Sequence, residues 1–365
     1  MAAADRDGYE AYASGDDAER RLPRQEDEGE DEYEYEEVEV EEMVDDEPMH
    51  ITGRLFLGSI DAARNVAALK RLRIGGALAL LGQGEEDAAV STHSSAVADA
   101  YAELQVTRTV VEIEDSRDGD LPRRLPGILA ALRELVEKAE RDDTNVLVHC
   151  IAGRSRSASV LAAWMLVSEA KQQGVQDVVD RISVSIVASN RRRIIRPWIE
   201  INPHFMRDLH LFHAVLSLPN EASLSAEDTS LLKERAFPRL DFGPNLVEGI
   251  LRGSKTVTMR LLSDVKGDLK SDLGDIFPFS IVAATTASTD GSSSRSQFGY
   301  LRIDKIETHE LSAIDHATLR KSGFGSTDEV LTMLTQFYPN VTTTTPLLML
   351  QFHCLCPGQM KPQQQ

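Results

Sequence analysis

A short apolar run, Asn145-Val146-Leu147-Val148, leads straight into His149-Cys150-Ile151-Ala152-Gly153-Arg154-Ser155-Arg156-Ser157, and from there into the nearly all-apolar stretch Ala158 to Val167. A helix that is apolar on every side has no face to give to water, so it must lie at the centre of a fold. A buried strand feeding a buried helix through one polar turn means a sheet covered by helices. The surrounding sequence repeats the alternation. Ile51 to Gly58 reads as a strand, Ala62 to Leu72 as a helix, Ile74 to Leu81 and Thr107 to Ile113 as strands. Leu125, Ile128, Leu129, Leu132, Leu135, Val136 and Ala139 recur at helical spacing on one face. Two further helical stretches, near 174–190 and 203–217, close the segment. Strands alternating with helices predict an α/β fold whose sheet is mostly parallel and flanked by helices.

The turn at 149–157 carries chemistry. Cys150 stands at the carboxyl end of a predicted parallel strand, the edge where open α/β sheets place ligands. A helix begins a few residues later, and successive backbone N–H groups can converge there into an anion-binding nest. Gly153 permits the tight turn. Arg156 offers a fork suited to two phosphate oxygens. The positive field that would hold a phosphate also favours a thiolate over a thiol. One loop thus binds the anion and activates a nucleophile. Cys150 and Arg156 are the expected catalytic pair. His149, Ile151, Ala152, Gly153, Arg154 and Ser155 are the expected substrate-binding frame.

This pattern, His-Cys-x-Ala-Gly-x-Ser-Arg-Ser, resembles the Cys-x5-Arg loop of protein tyrosine phosphatases, in the form of the dual-specificity subfamily. The resemblance covers about 49–217 and includes Arg54-Leu55-Phe56-Leu57-Gly58-Ser59, Asp61 to Leu81, and Arg196-Pro197 through Asn202 and Phe205. It implies a protein-tyrosine-phosphatase-like fold and a metal-independent hydrolase needing no cofactor. It also implies a general acid on a loop before the cysteine. The candidates are Asp115, Asp118 and Asp120. Asp115 follows closely on the Thr107–Ile113 strand, with Leu121 six positions on, and is the expected acid. Ser157 occupies the position where the family carries a hydroxyl that assists departure of the thiolate. The single extra cation between Cys150 and Arg156, and Ser155-Arg156-Ser157-Ala158 in place of Asn-Arg-Thr-Gly, favour phosphoprotein over inositol lipid or RNA 5′-triphosphate.

The remainder has a different texture. Pro219 to Ala236 is polar and reads as a linker. Short apolar runs at Asp275 to Val282, Gly299 to Ile306 and Leu347 to Phe352 read as strands, and 327–337 as a helix. The Ser/Thr-rich stretch Thr285 to Gln297, with Asp290-Gly291, reads as a hairpin loop. Gly253-Ser254-Lys255-Thr256-Val257-Thr258-Met259-Arg260, together with Leu273-Gly274-Asp275-Ile276, Tyr338-Pro339 and Phe352-His353-Cys354-Leu355, resembles the ASCH domain, a small PUA-like β-barrel. That resemblance covers about 237–356. It implies RNA or nucleotide contact through Lys255, Thr258 and Arg260. Ser322 stands where related amidohydrolases carry a glutamate, which argues against that activity here.

Charge is distributed unevenly. Of 59 acidic and 39 basic side chains, residues 1–47 hold 21 and 4, so the remaining residues hold 38 and 35. The acidic segment is too sparse in apolar residues to build a core and reads as a disordered tail, as does 357–365. Three cysteines exclude a disulfide scaffold. The acidic opening lacks the basic and apolar regions of a signal peptide, and no apolar run approaches membrane-spanning length. The expectation is a cytoplasmic or nuclear protein acting on phosphorylated proteins, with no membrane partner.

Overall fold

The apolar runs of the first half become one sheet with helices on both faces. The computed structural model of the chain describes residues 40–42, 46–85, 94–169, 173–187, 192–195, 198–218, 224–262, 272–287, 295–336 and 338–355. In chain order its first half contains β1 (Val40–Glu42), β2 (Met49–Thr52), β3 (Leu55–Gly58), α1 (Ile60–Arg64), α2 (Val66–Arg71), β4 (Ile74–Leu81), α3 (Ser94–Leu104), β5 (Thr107–Glu112), α4 (Leu121–Asp142) and β6 (Asn145–His149). There follow α5 (Arg156–Ser168), α6 (Val175–Ser183), β7 (Val184–Val187), β8 (Arg192–Ile195) and α7 (Pro203–Ser217).

The main sheet has the order β2-β3-β6-β4-β5, parallel except for the edge strand β2. Alternating side chains enter opposite cores, as a pleated strand requires. Leu57, Leu78, Leu80, Val146 and Val148 pack with the buried faces of α4, α5, α6 and α7. Phe56, Ala77 and Leu147 pack on the other side with Leu69, Val97 and Tyr101. The helical spacing of Leu125, Ile128, Leu129, Leu132, Leu135 and Ala139 is the buried stripe of α4. Register places Gly58, His149 and Ala79 in one row at the carboxyl edge of the sheet. The Cys150 loop leaves from that row.

Several local expectations are corrected. Ile51 to Gly58 is a hairpin, turning at Gly53, whose φ of 52° lies in the left-handed region. The helix expected over 62–72 is broken at Asn65, whose side chain accepts from the Ala68 N–H and starts α2 afresh. The helix expected over 174–190 stops at Ser183, and β7 pairs antiparallel with β8. β8 also pairs in parallel with β1, so part of the acidic segment, Val40–Glu42, is a strand. The rest of 1–47 lies outside the described residues, apart from 46–47.

The stretch expected as a linker contains α8 (Ala226–Lys233), with Leu232 fully buried. Beyond it lie β9 (Arg239–Phe242), α9 (Val247–Leu251), β10 (Val257–Leu261), β11 (Ile281–Ala287), β12 (Arg295–Glu310), α10 (His316–Lys321), α11 (Thr327–Thr335) and β13 (Pro346–Cys354). The run Asp275 to Val282, expected as a strand, opens at the end of a 3-10 turn, Asp272–Asp275, and the strand begins only at Ile281. The second sheet has the order β10-β13-β12-β11-β9, with β9 parallel to β11 and the other pairs antiparallel. Its edge strands, β10 and β9, are not paired to each other among the described residues, so the expected barrel is seen there as an open sheet. Asp290-Gly291 and Cys356 lie outside the described residues.

The two halves share a core. Leu211 and Val215 of α7 pack with Leu224, Leu232, Phe237, Ile281, Ala283 and Tyr300. Arg302 of β12 donates to the carbonyls of Val215 and Leu216 at 2.6 and 3.1 Å, closing the C-terminal end of α7. Tyr300 does the same for α8 through the Leu232 carbonyl at 3.2 Å. Arg235 donates to Asp208 on α7 at 2.5 Å, with only 6% and 3% of the two side chains exposed. Residues 39–365 accordingly form a single unit. No helix among the described residues is long and apolar enough to cross a membrane.

Removing one member of a buried ion pair strands the other charge. Arg235→Ala is therefore expected to cost about 3–5 kcal/mol in urea unfolding. Replacing both, as Asp208→Leu with Arg235→Met, is expected to recover most of that loss. A double variant no more stable than the single one would show that the stranded carboxylate is not the cause.

Candidate active site

The loop from Cys150 to Ser155 wraps one point at the edge of the sheet. Cys150 is buried at the end of β6. Its Sγ accepts the Gly153 N–H at 3.2 Å and lies 3.3 Å from Ser157 Oγ. Gly153 has φ of 64°, and a Cβ there would fall 2.6 Å from the Gly58 carbonyl oxygen and 2.8 Å from the Ser59 nitrogen. The position needs glycine twice over, for its backbone angle and for the approach of β3. The Ile60 N–H, at the start of α1, donates to the Ile151 carbonyl at 2.8 Å and pins the loop from the same side.

Arg156 begins α5 and turns back under the loop. Its Nη1 and Nη2 donate to Oε2 and Oε1 of Glu85 at 2.5 and 3.1 Å, and Nη1 also lies 3.3 Å from the Ile113 carbonyl. Its Nε is buried with no hydrogen-bond partner among the described residues. An unpaired buried N–H is costly, and this one belongs to the fork expected to take phosphate. The Glu85 ion pair holds the Arg156 guanidinium above its ordinary range against the opposing effect of burial.

Asp115 lies across the loop from Cys150. Its Oδ1 accepts from Ser155 Oγ at 2.6 Å and from the Asn202 side-chain amide, and its Oδ2 is 3.9 Å from Arg156 Nε. The other two acids behave differently. Asp118 lies in the 3-10 turn capped by Ser116, to whose Oγ its N–H donates at 3.2 Å, and Asp120 is held above the usual carboxylate range by burial, with Arg235, Arg123 and Arg124 opposing. Of the three candidates, Asp115 is the one docked on the loop.

Two residues expected to face substrate are otherwise engaged. Arg154 donates from Nε to the Trp198 carbonyl at 2.8 Å and from Nη2 to Glu200 at 3.0 Å, so its charge is spent on the neighbouring 198–200 segment. The Ser155 hydroxyl serves Asp115, as above. Ile151 and Ala152 contribute backbone to the turn, with Ala152 exposed.

Glu85 and Asn202 were not among the expected site residues. Glu85 sits after β4, one strand from β6, at the same carboxyl edge. That edge location is the available signal; Gly82-Gln83-Gly84-Glu85 otherwise reads as an ordinary turn. Asn202 is the N-cap of α7, where its Oδ1 accepts from the Phe205 N–H at 2.8 Å. A cap is legible in sequence; its second contact, with Asp115 some 87 positions away, is not.

In the second half, Lys255 and Thr258 are buried. The Lys255 amine donates to the Val257 carbonyl at 2.8 Å and to the Ser322 carbonyl, and burial pushes its pKa down to about 7, with Arg260 adding to the effect. Arg260 donates to Thr258 Oγ1 at 2.8 Å and to the Asp241 carbonyl at 2.6 Å. All three side chains thus bond within their own half of the chain. Lys255 nevertheless lines a cavity of about 580 Å³ together with Arg252, Lys321, Asp304 and His353.

His149 is fully buried beneath the loop. Its Nδ1 lies 3.3 Å from the Cys150 carbonyl and its Nε2 3.3 Å from the Tyr101 hydroxyl. A carbonyl can only accept, so Nδ1 carries the proton and Nε2 accepts from Tyr101. The residue is fully buried and orients the peptide after the nucleophile. Burial lowers its pKa from 6.5 to about 4. The unfolded chain then binds a proton that the folded chain refuses, and stability falls as pH drops from about 6.5 to about 4. The loss from this residue is expected to be roughly 3 kcal/mol. His149→Asn should flatten that part of the pH–stability curve in urea titrations; an unchanged slope would assign the effect to another group.

The family model for the dual specificity phosphatase catalytic domain matches residues 87–214. Protein 123R of Invertebrate iridescent virus 6 is 31% identical over 110 residues, covering 30% of this chain and 66% of the viral protein, just under two thirds of its length. Among solved structures, human DUSP28 aligns at 24% identity over 46% of this chain and 94% of its own, with a TM-score of 0.34. The Yvh1 phosphatase domain of Chaetomium thermophilum aligns at 22% identity over 46% and 95%, with a TM-score of 0.33. Residues 87–214, which include the Cys150 loop, are thus similar to the dual specificity phosphatase catalytic domain.

Proposed function

We propose that residues 48–218 hydrolyse phosphotyrosine and phosphoserine/threonine in proteins through a cysteinyl-phosphate intermediate. One observation carries this reading. A buried Cys150 Sγ receives the Gly153 N–H and lies 3.3 Å from Ser157 Oγ, inside a loop whose Arg156 keeps a buried Nε with no hydrogen-bond partner among the described residues. In the first step Cys150 Sγ attacks phosphorus in line with the ester oxygen. The S–P bond forms, the P–O bond breaks, and Asp115 gives its proton to the leaving oxygen. The loop N–H groups and Arg156 hold the three equatorial oxygens. In the second step Asp115 takes a proton from water, which attacks phosphorus. The S–P bond breaks, and Ser157 Oγ donates to the departing thiolate. None of these steps calls on a metal or cofactor.

For residues 237–356 we carry the ASCH-like, PUA-class reading as a proposal, with 219–236 joining it to the phosphatase half. The cavity beside Lys255, lined also by Arg252 and Lys321, favours an anionic ligand such as a nucleotide or RNA phosphate.

A substrate panel tests both. Phosphotyrosine and phosphothreonine peptides should be dephosphorylated by the full chain, and triphosphate-ended RNA should not. Cys150→Ser should abolish turnover, and Asp115→Asn should lower kcat by about 10²–10⁴-fold while phosphate still competes. Wild-type turnover by Cys150→Ser would sink the mechanism. RNA binding unchanged by Lys255→Ala would leave the second half without its proposed ligand site.

A further inference from the structure

Asp115 stands on the short segment 113–120, between β5 and α4. The segment is sharply folded. The Ser116 hydroxyl accepts the Asp118 N–H at 3.2 Å and caps a 3-10 turn over Arg117–Gly119. A Cβ at Gly119 would collide with the Glu114 carbonyl oxygen and would lie 3.0 Å from the Phe205 ring, so the turn closes against the first turn of α7. Asp120 then takes a φ of 44°, left-handed backbone at a residue other than glycine. Such a conformation persists only where its surroundings hold it.

What holds it from outside is the end of α8. Arg235, two residues past that helix, has only 6% of its side chain exposed. Its Nη2 donates to Asp208 at 2.5 Å, and its Nη1 donates to the Arg117 carbonyl at 3.4 Å, across 118 positions of sequence. The same carbonyl accepts the Asp120 N–H at 3.3 Å. Beside it, Glu234 Oε2 lies 3.5 Å from Arg117 Nη2. Consecutive residues thus grip both the backbone and the side chain of Arg117. The grip is anchored in turn by the second sheet. The Leu232 carbonyl accepts the Arg235 N–H and the Tyr300 hydroxyl, both at 3.2 Å.

We propose that Arg235, with Glu234, is a positioning residue for Asp115, so that the second half of the chain keeps the general acid docked on the Cys150 loop. This rests on the phosphatase reading above. The bonds that Asp115 itself accepts, from Ser155 Oγ and the Asn202 amide, favour its ionised form. They weaken whenever Asp115 carries the proton destined for the leaving oxygen. The grip on Arg117 is indifferent to that proton and holds the segment through both steps of the cycle.

The experiment uses the full chain. Arg235→Met is combined with Asp208→Leu, so that no buried charge is stranded. Values of kcat/KM are compared on p-nitrophenyl phosphate, whose leaving group departs with little help, and on a phosphothreonine peptide, whose alkoxide needs the proton. The paired substitution is expected to lower kcat/KM about 10- to 100-fold on the peptide and less than about threefold on the aryl ester. In an Asp115→Asn background, where no acid remains to be placed, it should cost less than about threefold more on either substrate. Hydrogen exchange should quicken over 115–120 and stay unchanged over α5. Equal losses on the two substrates, or an undiminished loss in the Asp115→Asn background, would mark a merely structural role and overturn the proposal. Wild-type kinetics on the peptide would overturn it as well. Should urea titration show the paired variant unfolded, Arg235→Lys decides, since it keeps a cation for Asp208 and gives up the two-nitrogen fork. Its loss should show the same dependence on leaving group, and wild-type kinetics there would sink the proposal. Failure of the phosphatase reading is distinguishable, since wild type would then show no turnover that Cys150→Ser removes.

Discussion

The close approach of Gly153 to the backbone of Gly58 and Ser59 is the constraint on which the site depends. A side chain at 153 would collide with the end of β3, so loop and strand meet as bare backbone. That contact keeps the loop shut around Sγ and lets the Gly153 N–H point inward. The row of strand ends at Gly58, His149 and Ala79 supplies the floor. Everything charged at the site is then added from outside that frame. Arg156 comes from the following helix, Glu85 from the turn after β4, and Asp115 from the segment after β5.

The site is also a place where few hydrogen-bonding groups are left over. Ser155, Asn202 and Asp115 satisfy one another, and Arg154 is drawn off to Trp198 and Glu200. Arg156 Nε, by contrast, is buried with no hydrogen-bond partner among the described residues and lies 3.9 Å from Asp115 Oδ2. A buried donor without a hydrogen-bond partner is costly, and an anion at that edge would relieve the cost.

Much of this was legible in the sequence because it is local. The strand at 145–149, the turn and the central helix occupy consecutive residues, and their polarity pattern admits few arrangements. Cys150, Gly153 and Arg156 are spaced by the same turn. The stripe of α4 was legible for the same reason. What was not legible came from distance or from competition. Glu85 is 71 positions from Arg156, and nothing in a Gly-rich turn announces a partner so remote. Asn65 splits a helical pattern because its side chain offers the backbone a better local bond. The polar stretch before residue 236 hid a helix, since one buried leucine, Leu232, leaves almost no periodic signal. Lys255 and Arg260 were expected to meet RNA or a nucleotide; the burial of Lys255 and the backbone carbonyls to which both donate depend on distant chain that the local motif does not show.

The shared cluster around Leu211, Val215 and Tyr300 makes the two halves mutually dependent solutes. Cutting the chain after α7 would uncover an apolar face and free the carbonyls of Val215 and Leu216 that Arg302 now occupies. A fragment trimmed to the boundaries of its family match would carry a sticky patch and a fraying helix end into solution. The smallest well-behaved piece of this protein is set by that seam, not by the limits of the catalytic motif.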